Sequence, residues 1–133
     1  MTRMTFVNLP VKSVDATREF FSALGFGYDE TFSDDKALCM VVSDQSRVLF
    51  LSEPFFAEFT PSGIADTSAG AEVITCLSAD SREDVDRIAE AAAVAGATHA
   101  RTTEHTGMYS RSFADPDGHL WEFLYMDATA TIS

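Results

Sequence analysis

The order of predicted elements is the same in the two halves of the chain. In the first half, an alternating segment at Thr5–Val11 precedes an amphipathic helix that ends at Gly25. In the second half, a strand at residues 72–79 precedes a helix that ends at Gly96. Glycine commonly ends helices, and both glycines are followed by segments typical of three short strands. The sequence therefore predicts an α+β fold of two strand–helix–three-strand modules.

The two modules are expected to form one domain, residues 1–133, because a chain of this length supports a single core. We place module one at about residues 4–52, a connecting segment at about 53–70 and module two at about 71–126. The connecting segment carries three phenylalanines without clear periodicity, and segments this long are usually functional or contain a short helix. Either it covers a ligand or a dimer contact, or one helical turn packs its phenylalanines into the core.

Local signals set the expected element boundaries. Ser13 or Asp15 caps the first helix, and Ser81 with Asp84 resembles a capping box at the start of the second. Further strands are predicted at residues 27–31, 37–42, 47–51, 98–102 and 108–114.

The last predicted strands form a hairpin around Asp-Pro-Asp-Gly at residues 115–118. Proline presets φ and glycine permits a positive φ, so this tetrapeptide is a strong turn signal. The strand after the turn places Glu122 among Leu120, Trp121, Phe123 and Leu124. Burying a carboxylate without a partner is costly. Glu122 is therefore the first candidate for a functional residue.

Composition excludes several classes of protein. The net charge of −12 argues against general nucleic-acid binding and favours cationic or neutral ligands, although excess acidic residues also simply aid solubility. No apolar run approaches the roughly 20 residues of a membrane span, and the N-terminal residues lack the apolar region of a signal peptide. We expect a cytoplasmic protein that binds neither nucleic acid nor membrane, with Cys39 and Cys76 reduced.

Two motifs, Phe-Val-Asn-Leu-Pro-Val at residues 6–11 and Arg-Ser-Phe-x-Asp-Pro-Asp-Gly-His-x-Trp-Glu at 111–122, carry a family resemblance. With the repeated element order, the chain resembles the glyoxalase / bleomycin-resistance / extradiol-dioxygenase (vicinal oxygen chelate) superfamily, and in particular its predicted lactoylglutathione-lyase-like proteins. The resemblance implies a curved mixed β-sheet cup with helices outside, a small-molecule site in the cup and a homodimer. Metal-dependent members bind one divalent ion there.

This chain keeps one of the residues that bind the metal ion in metal-dependent members of the family. Glu122 matches the family's glutamate ligand, but Phe6 stands where the family has His or Gln. Residues 48–51 offer no carboxylate, and near Val73 and Ile74 only Glu72 carries an oxygen donor. His99 and His105 are expected to be exposed, and His119 to serve the hairpin. We therefore predict no cofactor; the alternative is Mn, Fe, Ni or Zn with Glu122 as one ligand.

Strand parity places Leu120, Glu122 and Leu124 on one face. The resemblance implies that the neighbouring strand directs Met108, Ser110 and Ser112 to the same face, so Tyr109, Arg111 and Phe113 are expected on the opposite one. On its own face, Glu122 is a general base or a receptor for a cationic group. Alternatively it is a structural carboxylate bonded to Asn8, Ser112 or a tyrosine. With the residues that the resemblance adds, the predicted ligand-binding set is Phe6, Asn8, Met108, Ser110, Ser112 and Glu122.

Three classes of function follow from this comparison. The first is a metal-independent protein that binds a small molecule, with a cationic drug as one candidate ligand. The second is a metal-dependent lyase, isomerase or dioxygenase with Glu122 at the metal. The third is a structural or regulatory protein that uses the cup as a sensor.

Overall fold

A computed structural model describes residues 2–130 of the chain. The chain divides into two compact units, residues 1–66 and 67–133, which are described separately. No helix within residues 2–130 combines the length and the apolar character that crossing a membrane would require.

The first unit contains one four-stranded sheet. The elements of this unit are β1 (Thr5–Val11), α1 (Val14–Ala23), β2 (Gly27–Tyr28), a 3₁₀ helix (Glu30–Phe32), β3 (Ala37–Ser43), β4 (Ser46–Ser52) and α2 (Glu53–Ala57). The strand order in the sheet is β1-β4-β3-β2, with β1 and β4 parallel and the other pairs antiparallel.

Helix α1 covers one face of this sheet. It begins where the Ser13 side chain accepts a hydrogen bond from the Ala16 amide at 3.1 Å, so Ser13 rather than Asp15 is the cap. Its apolar side is buried, and the Phe21 ring stacks on Phe50 of β4 with 4.9 Å between ring centroids. The chain then turns at Gly25, whose φ of 100° favours glycine. The opposite face of the sheet is not covered by α1.

The second unit repeats the arrangement. Its elements are β5 (Ile74–Ser78), α3 (Arg82–Val94), β6 (Thr98–His105), β7 (Met108–Ala114) and β8 (Leu120–Met126). The strand order is β5-β8-β7-β6, with β5 and β8 parallel and the other pairs antiparallel. The Ser81 side chain caps α3 by accepting a hydrogen bond from the Asp84 amide at 3.0 Å.

Helix α3 packs on the face of this sheet that the strand parity predicted to be core. Trp121, Phe123 and Phe113 are at most 2% exposed on that face. Arg111 lies there too, and its guanidinium bonds to Asp86 of α3 at 3.2 Å, which makes it a paired structural arginine. One face of each sheet is thus covered by a long helix, α1 or α3, and α3 is the one helix among the described residues of the second unit. The predicted α+β fold of two βαβββ modules is confirmed.

Three predicted strand bounds were wrong. The strand predicted at residues 27–31 ends at Tyr28, because the Asp29 side chain caps a 3₁₀ helix by accepting from the Thr31 amide at 3.1 Å. Strand β5 starts at Ile74 rather than Glu72, because its partner β8 starts opposite Ile74 at Leu120. The strand predicted at residues 98–102 continues to His105, because β7 pairs with it that far.

The segment after β4 contains a short helix, which one of its two interpretations predicted. This helix buries none of its residues, and Phe59 is 68% exposed, so its phenylalanines are not packed into the core. A role in covering a ligand or a dimer contact stays a prediction.

Candidate functional site

A row of three polar side chains crosses the helix-free face of the second sheet. Cys76 on β5, Glu122 on β8 and Ser112 on β7 are direct neighbours in the strand register. Leu120 and Leu124 lie two residues before and after Glu122 and therefore on the same face. The result is a carboxylate between a thiol and a hydroxyl, with aliphatic neighbours along its own strand.

The Glu122 side chain is half-buried. Within residues 67–130, its carboxylate accepts no hydrogen bond and forms no ion pair, so it is not held by Ser112 as a structural carboxylate would be. Its electrostatic partner on the neighbouring strand is Cys76, an exposed residue whose thiol pKa is raised by partial desolvation and then by the negative charge of Glu122. A half-buried carboxylate without a partner in its unit is available to a ligand that offers a donor or a positive charge.

The structure brings four of the predicted ligand-binding residues to this face. Ser110, 5% exposed, pairs with Leu124, and Met108 pairs with Met126 at the far end of the same strands. Together with Ser112 and Glu122 they form one continuous strip, as the family resemblance implied. Whether a ligand touches them stays a prediction.

Phe6 and Asn8 lie on the face of the first sheet opposite to α1. In register they oppose Arg47 and Leu49 of β4, and both side chains are exposed. This face holds a pocket of about 360 Å³. The pocket is lined by Met4, Phe6, Asp29, Phe32, Cys39, Arg47 and Leu49.

Most of this lining was missed by sequence reasoning. The predicted strand at residues 27–31 concealed the 3₁₀ helix that brings Phe32 to the pocket. Residues 48–51, where the family has a carboxylate ligand, include Leu49 and Phe50. Leu49 lines the pocket, whereas Phe50 lies in the core and is 0% exposed. The alternation of β4 contained this information, because Arg47, Leu49 and Leu51 share a face opposite to Val48 and Phe50.

The residues around Glu122 do not match a transition-metal site. Within residues 2–130, no group of three or more His, Cys, Asp or Glu side chains is placed to hold an ion. His99 and His105 are exposed, as expected. The absence of a metal cofactor nevertheless remains a prediction.

A buried carboxylate in the hairpin turn was also missed. Asp115 is 4% exposed, and its Oδ1 accepts from the Asp117 and His119 amides, each at 3.0 Å. Its Oδ2 accepts from the Trp121 indole at 2.9 Å. Burial raises the pKa of Asp115, and its bonds and His119 oppose that rise. The turn that delivers Glu122 to its face is therefore anchored to the core, and His119 does serve the hairpin.

Comparison with known proteins establishes the family. A model of the Glyoxalase/Bleomycin resistance protein/Dioxygenase superfamily matches residues 3–123, and the chain belongs to that superfamily. No match was found among curated proteins.

Solved structures share the fold. A hypothetical protein SA1046 from S. aureus is 26% identical over 94% of each chain, with a TM-score of 0.77. A bleomycin-binding protein complexed with bleomycin is 20% identical over 96% of this chain and 100% of that chain, with a TM-score of 0.59. A lactoylglutathione lyase from Agrobacterium tumefaciens is 15% identical over 93% of each chain, with a TM-score of 0.65. The last two likenesses speak for the fold alone.

Proposed function

We propose that this protein binds a small molecule without a metal ion, and that Glu122 contacts a cationic or hydrogen-bond-donating group of that molecule. The observation that carries the proposal is the environment of Glu122. It is half-buried, it has no hydrogen-bond or ion-pair partner within residues 67–130, and it lies on a sheet face that no helix of its unit covers. A ligand that supplied the missing partner would relieve the cost of that partial burial.

Charge and family membership support a cationic ligand. The net charge of −12 raises the local concentration of cations around the protein and disfavours anions. The superfamily includes bleomycin resistance proteins, and one structure with the same fold holds bleomycin. A basic drug is therefore a reasonable first class of compound to test.

A thermal-shift screen of cationic drugs tests the role of Glu122. Compounds that raise the unfolding temperature of the wild type should raise it much less in Glu122→Gln. Glu19→Gln is the matched control, since it removes one carboxylate charge from an exposed position on α1. Equal shifts in the wild type and Glu122→Gln would remove Glu122 from ligand recognition.

Elemental analysis tests the metal-independent part. Protein purified without chelators should contain no stoichiometric transition metal and should take up none when Mn, Fe, Ni or Zn is added. A stoichiometric ion would overturn this part of the proposal and would favour a lyase, isomerase or dioxygenase with Glu122 at the metal.

We also propose that the protein is a homodimer, as the family resemblance implies. Light scattering during size-exclusion chromatography measures the mass directly. A mass near that of a single 14.5 kDa chain across the concentration range would contradict this part of the proposal.

A further inference from the structure

We infer that the pocket on the first sheet is a subsite for an uncharged aromatic molecule or ring. The inference rests on the proposed small-molecule binding and includes Phe6 of the predicted ligand-binding set, whereas Glu122 is not among the residues that line the pocket. At about 360 Å³, the pocket lies at the lower end of the roughly 300–1,000 Å³ that ligand pockets occupy. It is large enough for a small ring system.

The chemistry of the lining favours an aromatic ligand. Two phenyl rings, a thioether, a thiol and an aliphatic side chain surround the pocket, from Phe6, Phe32, Met4, Cys39 and Leu49. Aromatic side chains and sulfur atoms make favourable contacts with aromatic rings beyond simple area burial. Met4, Phe6 and Phe32 are 41%, 51% and 67% exposed, so a ligand would remove a cluster of apolar surface from water.

The charges of the lining favour an uncharged ligand. Asp29 and Arg47 are the two ionisable side chains of opposite sign in the pocket, and their charges cancel. Both already have partners within the chain. Asp29 Oδ1 accepts from the Thr31 amide at 3.1 Å, and Arg47 Nη1 donates to the backbone oxygens of Ser43 and Ser46. A charged ligand of either sign would therefore meet one like charge beside its counter-charge, and its desolvation would not be offset by a net attraction.

The wall that carries Phe32 is fixed before any ligand arrives. The Ser33 hydroxyl donates to the Asp29 carbonyl at 2.8 Å and accepts from the Cys39 amide at 3.0 Å, which ties the 3₁₀ helix to β3. On its other side, Glu30 forms a two-point ion pair with Arg18 of α1, at 2.7 and 2.9 Å. A preformed wall reduces the ordering cost of binding.

Calorimetric titration with 1-naphthol, 1-naphthoate and 1-naphthylmethylammonium tests the ligand class. The wild type should bind naphthol at least about tenfold more tightly than either charged analogue. Equal or tighter binding of a charged analogue would overturn the uncharged class, and no naphthol binding would overturn the subsite.

Variants test the location. Leu49→Trp should fill the pocket and Phe32→Ala should remove one wall, each weakening naphthol binding by about tenfold or more. Because the Phe32 side chain is exposed, Phe32→Ala should fold even if Leu49→Trp does not. Circular dichroism checks the folding of both variants. The surface control Val94→Ala, at a side chain 92% exposed, should bind naphthol within about twofold of the wild type. Unchanged binding in Phe32→Ala and in folded Leu49→Trp would place naphthol elsewhere.

The same titrations distinguish the subsite from a contact between two copies of the chain and from the proposed role of Glu122. If a second copy covers the pocket, naphthol affinity will fall as protein concentration rises, and the subsite proposal fails. If naphthol does not bind, while the binding of cationic compounds still requires Glu122, only the subsite proposal is overturned. If naphthol binds at the pocket and no compound depends on Glu122, the subsite stands and only the proposed role of Glu122 falls.

Discussion

The indole N–H of Trp121 donates to the Asp115 carboxylate at 2.9 Å inside the core of the second unit. The indole is 0% exposed and the carboxyl-bearing residue 4%, so this is a buried polar link between a turn and a strand. The other oxygen of the same carboxylate accepts two amides of the turn. One side chain thus fixes both the turn and the start of the strand that carries Glu122.

We predict that Asp115→Asn destabilises the protein by about 1–3 kcal/mol, because an amide group cannot accept from all three buried donors. Urea unfolding measures the change. Asp44→Asn, in the exposed turn between β3 and β4, is the control that removes a charge without a buried network. Equal stability of the two variants would show that the Asp115 network contributes nothing.

The raised pKa of Asp115 predicts a specific pH dependence. Burial is the main cause of the rise, so the folded protein holds the proton of this group more tightly than the unfolded chain does. Its contribution to the free energy of unfolding is therefore greatest below its ordinary pKa of 3.8 and decreases as pH rises through the folded-state value. The difference in free energy of unfolding between the wild type and Asp115→Asn, measured with urea, should therefore become smaller as pH rises. A difference that grows with pH would mean that the three hydrogen bonds outweigh burial.

The neighbourhood of Cys76 and Glu122 predicts thiol reactivity. Burial and the Glu122 charge raise the pKa of Cys76, so Glu122→Gln should lower that pKa and speed alkylation by iodoacetamide near neutral pH. Peptide mass spectrometry distinguishes Cys76 from Cys39, which is only 2% exposed. Glu19→Gln should leave the rate unchanged. If Glu122→Gln also leaves it unchanged, the thiol and the carboxylate are not close in solution.

Features encoded locally were predictable from the sequence. The caps at Ser13 and Ser81 and the stop at Gly25 depend on neighbouring residues, and the parity of β7 and β8 follows from alternation alone. The family resemblance was needed in addition to place Ser112 on the same face as Glu122, and the two residues are direct partners in the register of β7 and β8.

Features that depend on distant contacts were not predictable. The pocket wall at Phe32 exists because Asp29 and Ser33 bond to their own turn and to β3, which composition does not reveal. The position of Cys76 beside Glu122 required the parallel register of β5 and β8, two strands separated by a helix and two strands. Asp115 looked like an ordinary turn residue, because its burial depends on packing around Trp121.

The close approach of Gly118 and Thr67 yields the last prediction. Gly118 has φ 85°, and a Cβ added there would lie 2.9 Å from the Thr67 Cβ and closer still to its hydroxyl. That hydroxyl donates to the Asp117 carbonyl at 2.8 Å. Gly118→Ala should therefore cost about 1–2 kcal/mol from the backbone conformation alone, with a further cost from the clash.

A double-mutant cycle in urea separates the two costs. Thr67→Ala removes the hydroxyl, which is the atom nearest to the added Cβ, so Thr67→Ala/Gly118→Ala should be less destabilised than the sum of the single variants. The part of the Gly118→Ala cost that remains in the Thr67→Ala background is then the backbone term together with the contact to the Cβ of residue 67, which alanine keeps. Strictly additive effects would mean that Thr67 does not pack against the turn, and that the hairpin carrying Glu122 is held by Asp115 without help from residue 67.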